Sequence, residues 1–282
     1  MKKKHKQTLI KKASGEEELF SVEKLKQSLL KAGAERKISE DIIREIETWI
    51  YDGISTKLIY RKAFSMLQKQ RNQLAARYKL KNAILELGPT GYPFEFFIGQ
   101  ILESQGYETE TGKILQGRCI SHEVDVIATK EKTICFIECK FHQDQGRFTN
   151  VQVPLYIRSR VDDLISKYRT TSGYEDFSYE GWVVTNTRFS KDALEYGKCA
   201  GLKLLGWDYP DGYGLKEMID RKKIFPITVL TTLKKAQKQQ LLEKGIVICR
   251  QILQKPSSID FLKLTDKQKA NLLRSLTDLC GP

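Results

Sequence analysis

The sequence predicts an α/β protein in three parts: a central domain of layered strands and helices, a β-hairpin with a small helical bundle before it, and a small helical domain after it. Three observations carry that reading. The length of 282 residues suits two or three domains at ~100–200 residues each. Strand-like runs at 124–128, 133–140, 181–186 and 202–207 enclose helical runs near 150–167 and 190–200, while helical periodicity dominates before 88 and after 213. The charge divides the same way. Residues 1–90 hold 20 Lys+Arg against 11 Asp+Glu (net +9), 91–212 hold 14 against 18 (net −4), and 213–282 hold 14 against 6 (net +8). Basic ends suit a polyanion such as nucleic acid, and an acidic middle suits metal ions.

Residues 7–13 (QTLIKKA) form a short strand candidate, Ser14-Gly15 a turn, and a second short strand ends near Phe20. Ser21 caps a helix carrying Leu25, Leu29 and Ala32, which Gly33 stops. Further helices are predicted over 39–51, with Ile42, Ile43, Ile46 and Ile50 on one face, over 56–69, and over 71–86. The run Gly88-Pro89-Thr90-Gly91-Tyr92-Pro93 separates this unit, 1–88, from the central one, 89–212. The central unit opens with the helix FEFFIGQILESQG, whose buried stripe is Phe94, Phe97, Ile98, Ile101 and Leu102. The last unit, 213–282, contains two helix candidates around Lys244-Gly245 and a third over DKQKANLLRSL.

Several classes are excluded. No apolar run reaches the ~18 residues that span a bilayer, and the basic start lacks the apolar core of a secretory signal. Six cysteines with no CxxC pair suit a reducing cytoplasm. Cys135 and Cys139, about 13 Å apart along one strand, do not share a metal. The chain reads as a cytoplasmic protein with no membrane partner.

The chemistry lies in His122-Glu123-Val124-Asp125-Val126 and Phe136-Ile137-Glu138-Cys139-Lys140. Alternation along a strand puts Glu138 and Lys140 on one side. A tight connection at Lys130-Glu131 folds the strand of Asp125 back beside them. Two carboxylates and an ammonium at one end of a hairpin are what phosphodiester hydrolysis requires. The carboxylates hold Mg²⁺ (or Mn²⁺), and the lysine serves the attacking water or the developing charge. Glu95, flanking the stripe of the preceding helix, completes the metal shell. The plainer alternative is a cross-strand ion pair of Asp125 with Glu138 and Lys140.

Phe94-Glu95 opening a helix that ends in Glu-Ser-Gln-Gly-Tyr, then Val124-Asp125-Val126-Ile127, then Glu138-Cys139-Lys140, and finally VVTNTRFSKDALEYGKCAGLKLLGW, together resemble the PD-(D/E)xK nucleases. More narrowly they resemble the Mrr-type restriction endonucleases, over roughly 89–212. The resemblance implies an α/β/α restriction-endonuclease-like domain and a metal-dependent endodeoxyribonuclease of type IV restriction kind, acting in defence against foreign DNA. It places Glu95, Asp125 and Glu138 at the metal and Lys140 at the water. Val124 stands where the superfamily's name has proline. Two further candidates lie nearby, Gln152 toward the scissile phosphate and His142 on the face of Lys140.

In the first unit, Leu9-Ile10-Lys11-Lys12, Gly15, and Glu18 through Leu25, with Ser55-Thr56-Lys57-Leu58-Ile59-Tyr60 and Leu74-Ala75-Ala76-Arg77-Tyr78, resemble the ATP-cone, a regulatory nucleotide-binding domain. The resemblance implies ATP or dATP as an effector. Lys11, Lys12 and Lys24 would meet the triphosphate, Glu18 or Ser21 the base or ribose, and Thr56 would cap the third helix while facing the nucleotide. A domain that kept its shape without its ligand, or a basic face for DNA, fits the same residues. In the last unit, Lys244-Gly245-Ile246 is a candidate helix-hairpin-helix turn whose backbone N–H groups would hold a DNA phosphate. Lys234, Lys235 and Lys238 add charge, and an ordinary helical cap explains the segment as well. The expected protein is thus a nucleotide-gated nuclease of duplex DNA, acting as a homo-oligomer where both strands are cut. The alternatives are a nucleotide-sensing DNA-binding regulator with an idle nuclease fold, or a repair or RNA-processing nuclease.

Overall fold

The computed structural model describes residues 8–12, 15–144 and 146–281; Gln7, Ala13 and Ser14 of the expected first strand and turn lie outside them. The chain divides into two units, one reaching to Leu80 with Val229–Thr232, the other holding Lys81–Thr228 and Leu233 onward.

The first unit begins with β1 (Leu9–Lys11) and β2 (Glu17–Leu19), antiparallel with Leu9 opposite Leu19. Helix α1 (Val22–Lys31) follows, and the Ser21 hydroxyl caps it by accepting the Lys24 N–H at 3.2 Å. Its end turns through Gly33 at φ +87°, where a side chain would be strained. Helix α2 (Arg36–Trp49) leads to a two-residue strand, β3 (Ile54–Ser55), which pairs parallel to β1. Then come α3 (Thr56–Gln70) and α4 (Asn72–Leu85). Ile10, Leu29, Ile46, Ile54, Ala63 and Leu67 form the core, so the predicted apolar stripes meet on one small sheet. Strand β3 is too short to show period-2 alternation, and the sequence reading missed it.

The second unit is built on a five-stranded sheet in the order β10-β8-β6-β5-β4. It starts with α5 (Tyr92–Glu103), β4 (Glu108–Gln116), β5 (Ser121–Lys130) and β6 (Thr133–Lys140), the three strands antiparallel in sequence. A two-residue strand β7 (Phe148–Thr149) precedes α6 (Gln152–Tyr168) and β8 (Ser178–Thr185). Strand β9 (Arg188–Phe189) pairs with β7, and α7 (Lys191–Cys199) leads to β10 (Lys203–Leu205). Strands β6, β8 and β10 run parallel. Phe136, Val183 and Leu204 face α6 and α7 through Ile157, Val161 and Ala193. The alternate side chains, Cys135, Ile137 and Cys139, face the other way, the side on which α5 packs. The result is an α/β/α stack. Asp163 of α6 ties the β4–β5 turn to it, accepting N–H groups of Cys119 and Ile120 at 2.8 and 3.3 Å and pairing with His122 at 2.8 Å.

Strand β4 was not expected from the sequence. It is the sheet's edge, and its run ETETGKILQ is exposed or half-buried throughout, so no apolar alternation betrays it.

The C-terminal helices α8 (Leu215–Lys222), α9 (Lys235–Glu243), α10 (Cys249–Gln254) and α11 (Asp266–Cys280) also belong to this unit. Two expectations about them are corrected. At the turn after α9 the Gly245 N–H bonds Leu242 O at 2.9 Å and the Ile246 N–H bonds Leu241 O at 2.9 Å. The next two, Val247 and Ile248, donate to Gln251 Oε1 at 2.7 and 2.9 Å. These amides close the helix end themselves and offer no free donor to a phosphate. Lys238 is not a surface cation: it is buried, with Nζ donating to Thr228 O at 2.9 Å and lying 3.9 Å from Glu86.

Candidate active site

The four residues singled out in the central unit come from three adjoining elements. Glu95 lies in the first turn of α5, Asp125 in β5, and Glu138 and Lys140 in β6. Antiparallel pairing of Val126 with Ile137 sets Asp125 beside the Glu138 segment, and the Cys139 N–H donates to Asp125 Oδ2 at 2.7 Å. The three carboxylates are half-buried and the Lys140 side chain is exposed, forming no ion pair with any described residue.

Burial and neighbouring charge both show in the acidity of Glu95 and Asp125. Burial pushes Glu95 up to about 7, and the charges of Asp125, Glu123 and Glu138 add to it. Burial raises Asp125 to about 6 and Glu138 adds, against the pull of the Cys139 N–H and Arg160. Carboxylate oxygens are the hard donors that Mg²⁺ or Mn²⁺ takes. Such an ion would offset the like charge that adds to the effect of burial on Glu95 and Asp125. Among the described residues no three ligating groups are already gathered at coordinating distance. Glu138 is turned instead to Arg160 of α6, with Nη1 to Oε2 at 2.6 Å.

A hydrogen-bonded clamp holds the backbone at Lys140 and two residues beyond it. Thr185 Oγ1 donates to Lys140 O at 2.9 Å. Asn186 accepts the His142 N–H at 2.8 Å and donates back to His142 O at 2.7 Å. The His142 ring is bonded to Thr149 at 3.1 Å and is held below the usual imidazole range by burial, with Lys140 and Arg147 adding. His142 is therefore part of the scaffold. Gln152 is exposed and its amide oxygen and N–H are engaged with Asn150. Arg160, Thr185 and Asn186 were not singled out from the sequence. The run VVTN marked the last two only as a strand end, and nothing in a helical Arg reveals which carboxylate it meets.

In the first unit Lys12, Glu18 and Lys24 are brought together. Glu18 Oε2 lies 3.1 Å from Lys12 Nζ and 3.2 Å from Lys24 Nζ. The hydrogen bond to Lys12, then that to Lys24, holds Glu18 below the usual carboxylate range. Lys11 is exposed on β1, opposite Ser55 in register. The Ser21 hydroxyl is committed to its cap. Thr56 is not the cap of α3: the Ser55 hydroxyl accepts the Leu58 N–H at 3.3 Å, and Thr56 is the first helical residue.

Fold and site together define a restriction-endonuclease-like domain of the Mrr type, within the PD-(D/E)xK class. The restriction endonuclease family model matches residues 89–219, and the model described as AF1548-like, C-terminal, matches 225–280. A protein of Archaeoglobus fulgidus, described only as uncharacterized, is 35% identical over 156 residues, spanning 55% of this chain and 83% of its own. The crystal structure titled as a protein of unknown function, AF1548, is similar with 30% identity and a TM-score of 0.55, over 68% of this chain and 99% of that one. The chain belongs to this AF1548-like family of proteins with an Mrr-type restriction-endonuclease domain. No described helix is long and apolar enough to cross a membrane.

Proposed function

We propose that the protein is a divalent-metal-dependent DNA endonuclease. The observation that supports this is a domain of the restriction-endonuclease family in which the charges of Glu95, Asp125 and Glu138 act on one another, with the exposed Lys140 two residues beyond Glu138. Glu95, Asp125 and Glu138 would hold Mg²⁺ or Mn²⁺. When bound, the ion polarises a phosphodiester and acidifies a water. The protein's own residues do the rest. The Cys139 N–H fixes the Asp125 carboxylate, the Thr185 and Asn186 clamp fixes the backbone carrying Lys140, and the Lys140 ammonium orients the attacking water or meets charge on the phosphate.

The finer reading keeps three functional parts, 1–88, 89–212 and 213–282. The two family matches, beginning at 89 and 225, support that division. The substrate is duplex DNA, the setting is cytoplasmic defence against foreign DNA, and a homo-oligomer cuts both strands. ATP or dATP binds the first part at Lys11, Lys12, Glu18, Ser21, Lys24 and Thr56 and gates cleavage. Lys12, just after β1, and Lys24 of α1, both within reach of Glu18, support this. The test is supercoiled plasmid with Mg²⁺, with and without ATP or dATP, beside Lys140→Ala. Wild type is expected to cleave, and Lys140→Ala to lose about 10²–10⁴-fold in rate. If neither modified nor unmodified DNA is cut, with or without nucleotide, the reading falls. Cleavage confined to RNA would move it to RNA processing.

A further inference from the structure

Arg160 sits on α6, outside the motif, and is mostly buried at 14% side-chain exposure. Its guanidinium is held from three sides. Nη1 bonds Glu138 Oε2 at 2.6 Å, Nη2 bonds the Tyr156 hydroxyl at 2.7 Å, and the group lies over the Tyr156 ring at 4.7 Å. The Tyr156 contact follows from helical i,i+4 spacing. The Arg160 Nε is buried with no partner. Arg160 is also close enough to Asp125 for the two charges to feel one another. One fixed positive charge thus serves two of the three carboxylates that the proposed function assigns to the metal.

We propose that Arg160 is a positioning residue that stands in for the divalent cation in the metal-free protein and competes with that cation for Glu138. A half-buried carboxylate beside other carboxylates is costly to leave unpaired, so Glu138 takes a cation whether or not metal is present. A guanidinium does not deprotonate, so its hold on Glu138 persists at every working pH. For Glu138 to turn to a metal ion it must give up a 2.6 Å charge-assisted bond. Metal affinity is therefore set below what the carboxylates alone would give.

The inference rests on the nuclease reading, and the test separates the two. Mn²⁺ binding to the full chain is measured by titration calorimetry, without DNA, for wild type, Arg160→Met and Tyr156→Phe, with folding checked by circular dichroism. Arg160→Met is expected to bind Mn²⁺ about tenfold more tightly, at the strength of one charge-assisted hydrogen bond. Its metal-free form is expected to melt earlier and to gain more from Mn²⁺ than wild type does. Tyr156→Phe frees one side of the guanidinium and keeps the ring, so it is expected to tighten binding by a smaller factor. Should Arg160→Met not fold, Tyr156→Phe decides. Mn²⁺ affinity that is unchanged or weaker in the folded variants overturns the role of Arg160 and leaves the nuclease reading standing. A wild type that binds no Mn²⁺ overturns both.

Discussion

Two charged clusters in this chain are opposite in electrostatic design. In the first unit, Glu18 lies between Lys12 and Lys24, its acidity strengthened by both. In the second unit, burial pushes Glu95 and Asp125 up to about 7 and about 6, and the like charges of Glu138 and Glu123 add to it. The first cluster is satisfied by its own side chains and exposed to water, where ion pairs contribute little. The second has one guanidinium for several carboxylates and is partly withdrawn from water. Excess like charge held together by a fold is the mark of a site that awaits a counterion, whereas a balanced cluster has no such demand. The contrast ranks the two proposed sites: like charge at the carboxylates favours a cation there, whereas Lys12 and Lys24 are already paired with Glu18.

Gly91→Ala sharpens this contrast with the largest expected effect after loss of Lys140 itself. Gly91 has ordinary helical angles, so alanine fits its backbone, yet the added Cβ would come within 2.8 Å of Glu95 Oε1. Cleavage is expected to fall about tenfold, on the order seen when a reacting group is displaced by a fraction of its proper geometry. Melting temperature is expected to hold or rise. An unchanged rate would mean that Glu95 is not at the reaction centre.

Next in size is a pH effect on the metal-free protein. Glu95 holds its proton in the folded state up to about 7, while the unfolded chain releases it near the ordinary value of 4.5. Between those values the folded state binds more protons, so stability falls as pH rises through the window. In the presence of a chelator, wild type is expected to melt progressively earlier across it. Glu95→Gln is expected to show a shallower slope and to outlast wild type at neutral pH. A slope equal to that of wild type would show that Glu95 is not strained.

Smallest is the effect of Glu18→Gln, which frees Lys12 and Lys24. Stability is expected to change little, since the pairs are exposed. ATP binding, measured by calorimetry, is expected to weaken by a few-fold through the lost contact with base or ribose. Tighter binding would show that Glu18 only screens the two lysines, and no binding by either protein would rule out the effector.

Much of this arrangement was legible in the sequence, for definite reasons. Strand β6 coincides with the run TICFIECK because it is buried on both faces, and α1 begins and ends where Ser21 and Gly33 mark it. The pairing of the Asp125 strand with the strand of Glu138 and Lys140 could be foreseen because a tight connection fixes their register. What was not legible depends on partners far along the chain. Arg160 is 22 residues from Glu138, and its spacing would suit a solvated helix face equally well. Lys238 looks like a surface cation until the carbonyl of Thr228 is brought to it. The glycine turn after α9 looked open because the sequence does not show Gln251 reaching back to fill it.

The central claim is that Glu95, Asp125 and Glu138 share one divalent cation. Crystals grown with Mn²⁺ and recorded at the manganese absorption edge test it most directly. An anomalous peak is expected among those three carboxylates, with Glu138 turned away from Arg160. No peak there, with Glu138 still bonded to Arg160 at saturating Mn²⁺, would contradict it.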